Sequence, residues 1–413
     1  MPQVFIRLSN VLLRILSMAS RFCLVFGLAY FIEPKEMGEY GLVVASLGFS
    51  VLIIGGDYYT YSHRELMSSG SARWGFIFQH HAIALIILYF FLLPVQFFYF
   101  SFGLLPWSLS GWFFMLLISE HLAQEMNRVL IAIQEPLMAS LVLFLRAGVW
   151  VWLLLPWMWV NPDSRSLNEV FFFWVTGSSS SVLIACFIVR KKTDGWQWGG
   201  VDWPWIIKGF GVGMLFLFSA LSFKALTTID RYFVVHFLNA EMLAVYVLYT
   251  GMAMSIYSVI DAAVTAFLYP RIVSAWRNSC LSNFNKLMSE LWWTTILLSI
   301  SLALMIGVSA NWVLSFIGKE LYVEYIELLW VLLLAAIVYS VGLVPHYGLY
   351  AKGGDAKIMI IHLSSLIVFF ITMGLTTIVW LEGAVAVGLL VTFCWIGGAK
   401  FLFYRGIKSL KRL

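Results

Sequence analysis

Charge is scarce in this chain. Charged residues make up 11% of its 413 residues and hydrophobic ones 62%. A soluble domain carries roughly 25% charged residues, so a water-solvated globule is excluded and the solvent must be lipid. Cysteine is scarce too. The four, Cys23, Cys186, Cys280 and Cys394, are scattered and show no C-x-x-C spacing, which excludes a disulfide framework and a cysteine-based metal site. No metal or cofactor is expected. A phosphate loop is missing as well: Lys208-Gly-Phe-Gly-Val-Gly has neither a strand before it nor a GK[ST] ending, so it reads as a loose, glycine-rich start to a helix. Long polar stretches are also absent. The longest gap between apolar runs is about 22 residues, too short to fold as a soluble catalytic domain, so no enzyme is expected. The N-terminal run carries Arg14 and Arg21 inside it and lacks an A-x-A cleavage site. It reads as an uncleaved first span.

What the chain has is apolar runs. At roughly 20 residues per span, they predict an all-α integral membrane protein with about 12 transmembrane helices, near 8–32, 37–60, 75–100, 107–133, 137–160, 168–189, 212–238, 242–268, 290–316, 324–349, 357–380 and 383–404. Each run is too long for a barrel strand and lacks strict alternation. With a cytoplasmic N-terminus, seventeen Lys and Arg fall in or beside cytoplasmic segments. Only Lys35, Arg165 and Lys319 fall in outer loops. That asymmetry sets the orientation, with both termini cytoplasmic. It also accounts for the net charge of +5 without a nucleic-acid partner.

The stretch from Phe31 to Gly41, FIEPKEMGEYG, has a counterpart at Phe237 to Val247, FLNAEMLAVYV. Phe31 and Phe237, and Tyr40 and Tyr246, are each 206 residues apart, half the chain. Both stretches read as outer-face turns, between spans one and two and between spans seven and eight. Two six-helix halves are therefore expected, 1–190 and 206–413, joined by a cytoplasmic linker at 191–205. Six helices per half give both the same orientation, with a pseudo-twofold axis along the membrane normal. Such halves are suited to rocking about a central cavity.

These features resemble a known family. Glu36 to Tyr40 forms an E-M-G-E-Y connector, Gly55-Gly56-Asp57 closes the second helix, and Arg64 follows. Asp230-Arg231-Tyr232-Phe233, Glu241, Tyr246 and Pro270-Arg271 mark the second half. The chain is similar to the Wzx-type polysaccharide and O-antigen flippases of the multidrug/oligosaccharidyl-lipid/polysaccharide exporter superfamily. The resemblance implies transport of a polyprenyl-diphosphate-linked oligosaccharide from the cytoplasmic to the periplasmic leaflet of the bacterial inner membrane. It also implies a working relationship with polysaccharide polymerase machinery.

Ionised side chains inside a bilayer are costly and call for a role. Arg14 and Arg21 lie seven residues apart on span one, so they share a face about 10 Å apart. Lys224 and Arg231 repeat that spacing on span seven, and Arg146 on span five adds to the set. Together they are candidates for a cationic chamber gripping a diphosphate. The alternative is that Arg14 snorkels, Arg231 pairs with Asp230, and Arg21 meets an acid on another helix. Span four carries Glu120, Gln124 and Asn127 on one face, with His121, Glu125 and Arg128 beside it. Glu120 and Glu125 are candidates for coupling to an H+ or Na+ gradient. Equally, Glu125 could pair with Arg128, and Glu120 with Arg21 or Arg146. Asp57 and Asp261, near the cytoplasmic ends of spans two and eight, are candidate gating acids. His80, His81 and His362 read as packed or interfacial histidines. Two other functions compete: a multidrug exporter of the same superfamily, whose organic cations Arg and Lys would repel, and a membrane polysaccharide polymerase, which commonly needs a larger outer loop.

Overall fold

The computed structural model describes residues 3–192 and 199–406. Residues 193–198 of the expected linker, and Lys408, Lys411 and Arg412, lie outside the described residues, as does the side chain of Arg7. The described chain is helical throughout, as lipid requires of a backbone that must satisfy its own polar groups.

Its helices are α1 (Gln3–Phe31), α2 (Pro34–Gly55), α3 (Tyr59–Ser68), α4 (Trp74–Val95), α5 (Phe98–Ser101), α6 (Ser110–Ala132), α7 (Pro136–Phe144), α8 (Trp150–Val160), α9 (Leu167–Lys192) and α10 (Trp203–Phe237). There follow α11 (Ala240–Ile260), α12 (Ala266–Arg277), α13 (Leu281–Ile317), α14 (Glu320–Glu324), α15 (Ile326–Ala351), α16 (Asp355–Val379) and α17 (Ala384–Gly406). A π-helical turn, Leu145–Val149, joins α7 to α8, and another, Asp261–Thr265, joins α11 to α12. Ten of the described helical stretches are long and apolar enough to cross a bilayer, or eleven if the two parts of α10 make one span. The helix α6 falls outside that set because Glu120, Gln124, Glu125, Asn127 and Arg128 break its apolar character. It buries Glu120 and Glu125 inside the fold. With α6 included, the expected twelve are reached.

The two connectors fall at the same repeat position. Phe31 ends α1 and Phe237 ends α10. The breaks at Ile32-Glu33 and Leu238-Asn239 are again 206 apart. The turns are held differently. Pro34 stands at the first turn of α2, where its missing N–H costs nothing. Asn239 caps α11 by accepting a hydrogen bond from Met242 N at 2.8 Å.

The chain divides into two compact units, Met1–Lys224 and Ala225–Leu413. The first part of α10 thus packs with unit 1 rather than with the half that begins at 206. Its glycines explain why. A Cβ on Gly213 would lie 2.6 Å from Gly56 O, and one on Gly209 would meet the Tyr58 ring at 2.6 Å. The glycine run that looks faintly like a phosphate loop is a close-packing surface. Within unit 1, α6 packs on α9 and α1 on α7. Within unit 2, α15 and α17 form the most extensive pair, approaching at Gly342 and Gly397, where a Cβ would come 3.1 Å from the opposite Cα. Trp312, Val308 and Ile378 are large apolar residues left outside both cores, in keeping with lipid as the surrounding solvent.

Candidate functional site

The candidate residues of unit 1 form three groups. The first centres on Glu120 of α6. Its Oε2 accepts from Arg146 Nε at 2.8 Å and lies 2.7 Å from Arg146 Nη2. Its Oε1 accepts from Trp174 Nε1 at 2.8 Å and from Ser178 Oγ. One carboxylate therefore ties α6 to α9 and to the π turn that carries Arg146. Such charge-assisted forks are the strong kind of hydrogen bond. Trp174 also stacks on Trp150 at 6.0 Å, which holds its indole N–H in place. Of the two arginines the sequence offered as partners for Glu120, packing selects Arg146.

The second group is the cationic face of α1. Arg14 and Arg21 are both exposed. Arg14 Nε reaches Ser140 Oγ at 3.4 Å. Arg21 lies within the field of Arg146, Glu120 and Tyr40, but makes no ion pair among the described residues. The exposed apolar residues Ile15 and Leu12 point about 120° and about 180° away from Arg21 around the helix. Exposed Val11 lies only about 60° from Arg14, so the arginine face borders apolar surface. Lys224 folds against α2, where a Cβ on Gly48 would lie 2.7 Å from its Nζ.

The third group surrounds Glu125, which is 1% exposed. Its Oε1 accepts from Arg128 Nη1 at 2.6 Å, and the Arg128 guanidinium covers the Tyr59 ring at 3.5 Å. Its Oε2 faces His81 Nε2 at 3.2 Å, and His121 Nε2 lies 3.8 Å from Oε1. The His121 ring is oriented by Tyr89, whose hydroxyl is 2.5 Å from Nδ1. His63 on α3 stacks beside His81 at 5.6 Å. Burial pushes the His63 imidazole down to about 3, so it is neutral. The adjacent His80 turns the other way: its Nδ1 donates to Phe76 O at 2.7 Å, and its Nε2 accepts from Asp202 N at 2.8 Å. His80 is a packed histidine, whereas His81 belongs to the acid cluster.

Asp57 follows Gly56 in a left-handed turn, with φ of 52° and 54°, and hydrogen-bonds to Tyr59 and Thr60. In unit 2, Asp261 opens a π turn among Tyr257, Tyr339 and Tyr347. Neither acid makes an ion pair among the described residues. Asp230 accepts from Tyr246 at 2.6 Å through Oδ2 and from Arg231 N at 2.7 Å through Oδ1. The Asp-Arg and Tyr elements of the second-half motif are thereby in contact. The sequence reading missed His63 altogether. Its only local signal is a histidine in the polar turn after span two, a signal too common to single it out.

No protein-family model matches the chain, and no curated protein matches it. Solved structures do. An inward-facing conformation of a multidrug resistance MATE family transporter of the MOP superfamily matches with a TM-score of 0.74 at 13% identity, over 96% of this chain and 97% of that one. An outward-facing conformation of such a transporter matches at 0.59 and 14% identity, over 97% and 94%. A MOP superfamily transporter from Pyrococcus furiosus, for which a reversed polarity of the binding pocket suggests a different function, matches at 0.56 and 14% identity, over 97% and 94%. The chain is a multi-pass integral membrane protein with the fold of MATE transporters of the MOP superfamily. At these identities the likeness is one of fold.

Proposed function

We propose that the chain is an alternating-access transporter of the bacterial inner membrane, not an enzyme, with both termini in the cytoplasm. Its substrate is a polyprenyl-diphosphate-linked oligosaccharide, moved from the cytoplasmic to the periplasmic leaflet. One observation carries this reading: unit 1 pairs its arginines selectively. Arg128 and Arg146 each have a carboxylate within 2.7 Å, whereas exposed Arg14 and Arg21 have none among the described residues. An unneutralised guanidinium pair inside a span is expensive against acyl chains and well suited to phosphate oxygens. Lys224 of α10, which folds against α2, is a further candidate cation of unit 1.

The acids divide accordingly. Glu120 acts as a structural anchor, supported by donors on both its oxygens, and Glu125 is held through Oε1 by Arg128. Gating or coupling falls to Asp57 and Asp261. A multidrug exporter fits less well, because organic cations are repelled by the α1 face.

The test is deletion of the chain from its host, followed by analysis of lipid-linked sugars. Repeat units accumulating on the cytoplasmic face support the proposal, and accumulation on the outer face points to a polymerase. Complementation with Arg21→Ala or Lys224→Ala should then fail while membrane-inserted protein is retained. Export at the native rate by both variants would remove the cationic face from the mechanism.

A further inference from the structure

We infer that His63, His81 and Glu125 form a binding site for one divalent transition-metal ion of the zinc class, fastening α3 to α4 and α6. The three ligand atoms lie within 4.8 Å of one another, and all three residues are buried. They come from three separate elements: α3, α4 and α6. The Gly56-Asp57 reversal lets α3 pack against both of the others.

The orientation of the donors carries the argument. Ser62 Oγ lies 3.5 Å from Tyr59 O and 2.7 Å from His81 Nδ1. In the tautomer in which His81 Nδ1–H donates to Ser62 Oγ, the other ring nitrogen is a free ligand atom. His81 Nε2 then turns a lone pair toward Glu125 Oε2 at 3.2 Å. Metal-ligating histidines are typically fixed in this way through the other ring nitrogen. Neither His81 Nε2 nor Glu125 Oε2 has a hydrogen-bond partner, and a cation between them would answer both. A proton could serve two atoms, but His63 Nε2 is a third buried nitrogen without a hydrogen-bond partner beside the same ring. A proton bridges two donors, whereas a metal collects three. Ligands of a tetrahedral zinc stand about 3.3 Å apart, close to the His81–Glu125 spacing. Two imidazoles and one carboxylate suit Zn2+, Co2+ or Ni2+ and are too nitrogen-rich for Mg2+ or Ca2+. A fourth position is left for water.

Arg128 does not compete for the same oxygen. It occupies Glu125 Oε1 and lies over Tyr59, which leaves Oε2 to the metal. Asp57, within the field of Arg128 and Glu125, offsets part of the added positive charge. The sequence gives no hint of the site, because His63, His81 and Glu125 follow no metal-ligand spacing.

The full-length protein, purified without a histidine tag and stripped with chelator, is titrated with Co2+. The expected result is one saturable Co2+ per chain, with the visible ligand-field absorption of a four- or five-coordinate nitrogen/oxygen site, displaced by Zn2+. His63→Ala and His81→Ala should each weaken binding at least tenfold, while His80→Ala should leave it unchanged. Absence of saturable binding to the wild-type protein overturns the proposal without recourse to any variant. It is equally overturned if His63→Ala and His81→Ala bind as the wild type does, or if His80→Ala loses binding to the same extent.

Discussion

The two units treat buried charge in opposite ways. Unit 1 answers its buried acids with arginines: Glu120 with Arg146, and Glu125 with Arg128. Unit 2 buries Lys400 of α17 at 2% exposure, near His346 and His362, with no carboxylate in ion-pair range among the described residues. The histidine rings stack at 6.4 Å. A buried pair gains from mutual attraction but suffers badly when one partner is lost. A buried cation with no anion has no such gain to lose. In unit 1 the Glu120–Arg146 pair thus fastens α6 to the π turn, while Glu125–Arg128 pairs within α6. The packing around Lys400 does not depend on its charge for cohesion.

Removing one partner from unit 1 should give the largest effect. Glu120→Gln leaves Arg146 without its anion and is expected to cost about 3–5 kcal/mol, read as a lowered unfolding temperature in detergent. Adding Arg146→Met should recover most of that loss, because the stranded charge goes with it. A single variant as stable as the wild type would dissolve the contrast between the units.

The next test has the opposite sign. Lys400→Met should be neutral or stabilising, because it removes a buried ionisable group with no carboxylate partner. If it destabilises as much as Glu120→Gln, unit 2 also neutralises its cation and the distinction fails.

The smallest effect is expected at the connectors. Asn239→Ala removes the cap on α11 and should cost about 1 kcal/mol. Its repeat counterpart Glu33 makes no side-chain cap, so Glu33→Ala should stay within about 0.5 kcal/mol. Equal losses at the two sites would mean that the turns are held alike after all.

Much of the fold was legible in the residues. Apolar run length located the spans, and the spacing of Phe31 and Phe237 placed two helix ends at the same repeat position. The span limits shifted where turn chemistry or packing overrode hydropathy. The helix α10 begins at Trp203, nine residues before its apolar run, because Gly209 and Gly213 let it close on Tyr58 and Gly56. Less of the site was legible. Glu120 stood out as an intramembrane acid, yet the sequence could not choose between Arg21 and Arg146. The choice depends on how the π turn at Leu145–Val149 and the donors of α9 meet α6.

The sequence by itself determined a lipid-embedded, all-helical chain with a half-length repeat and a cationic face on α1. These properties depend on composition and on periodicity along one helix, which any helical conformation of the chain would display. The tertiary structure alone decided that Glu120 meets Arg146 rather than Arg21, and it alone brought His63 beside His81 and Glu125. Those partners lie tens of residues apart on different helices, and contact between them is a product of packing that no local pattern encodes.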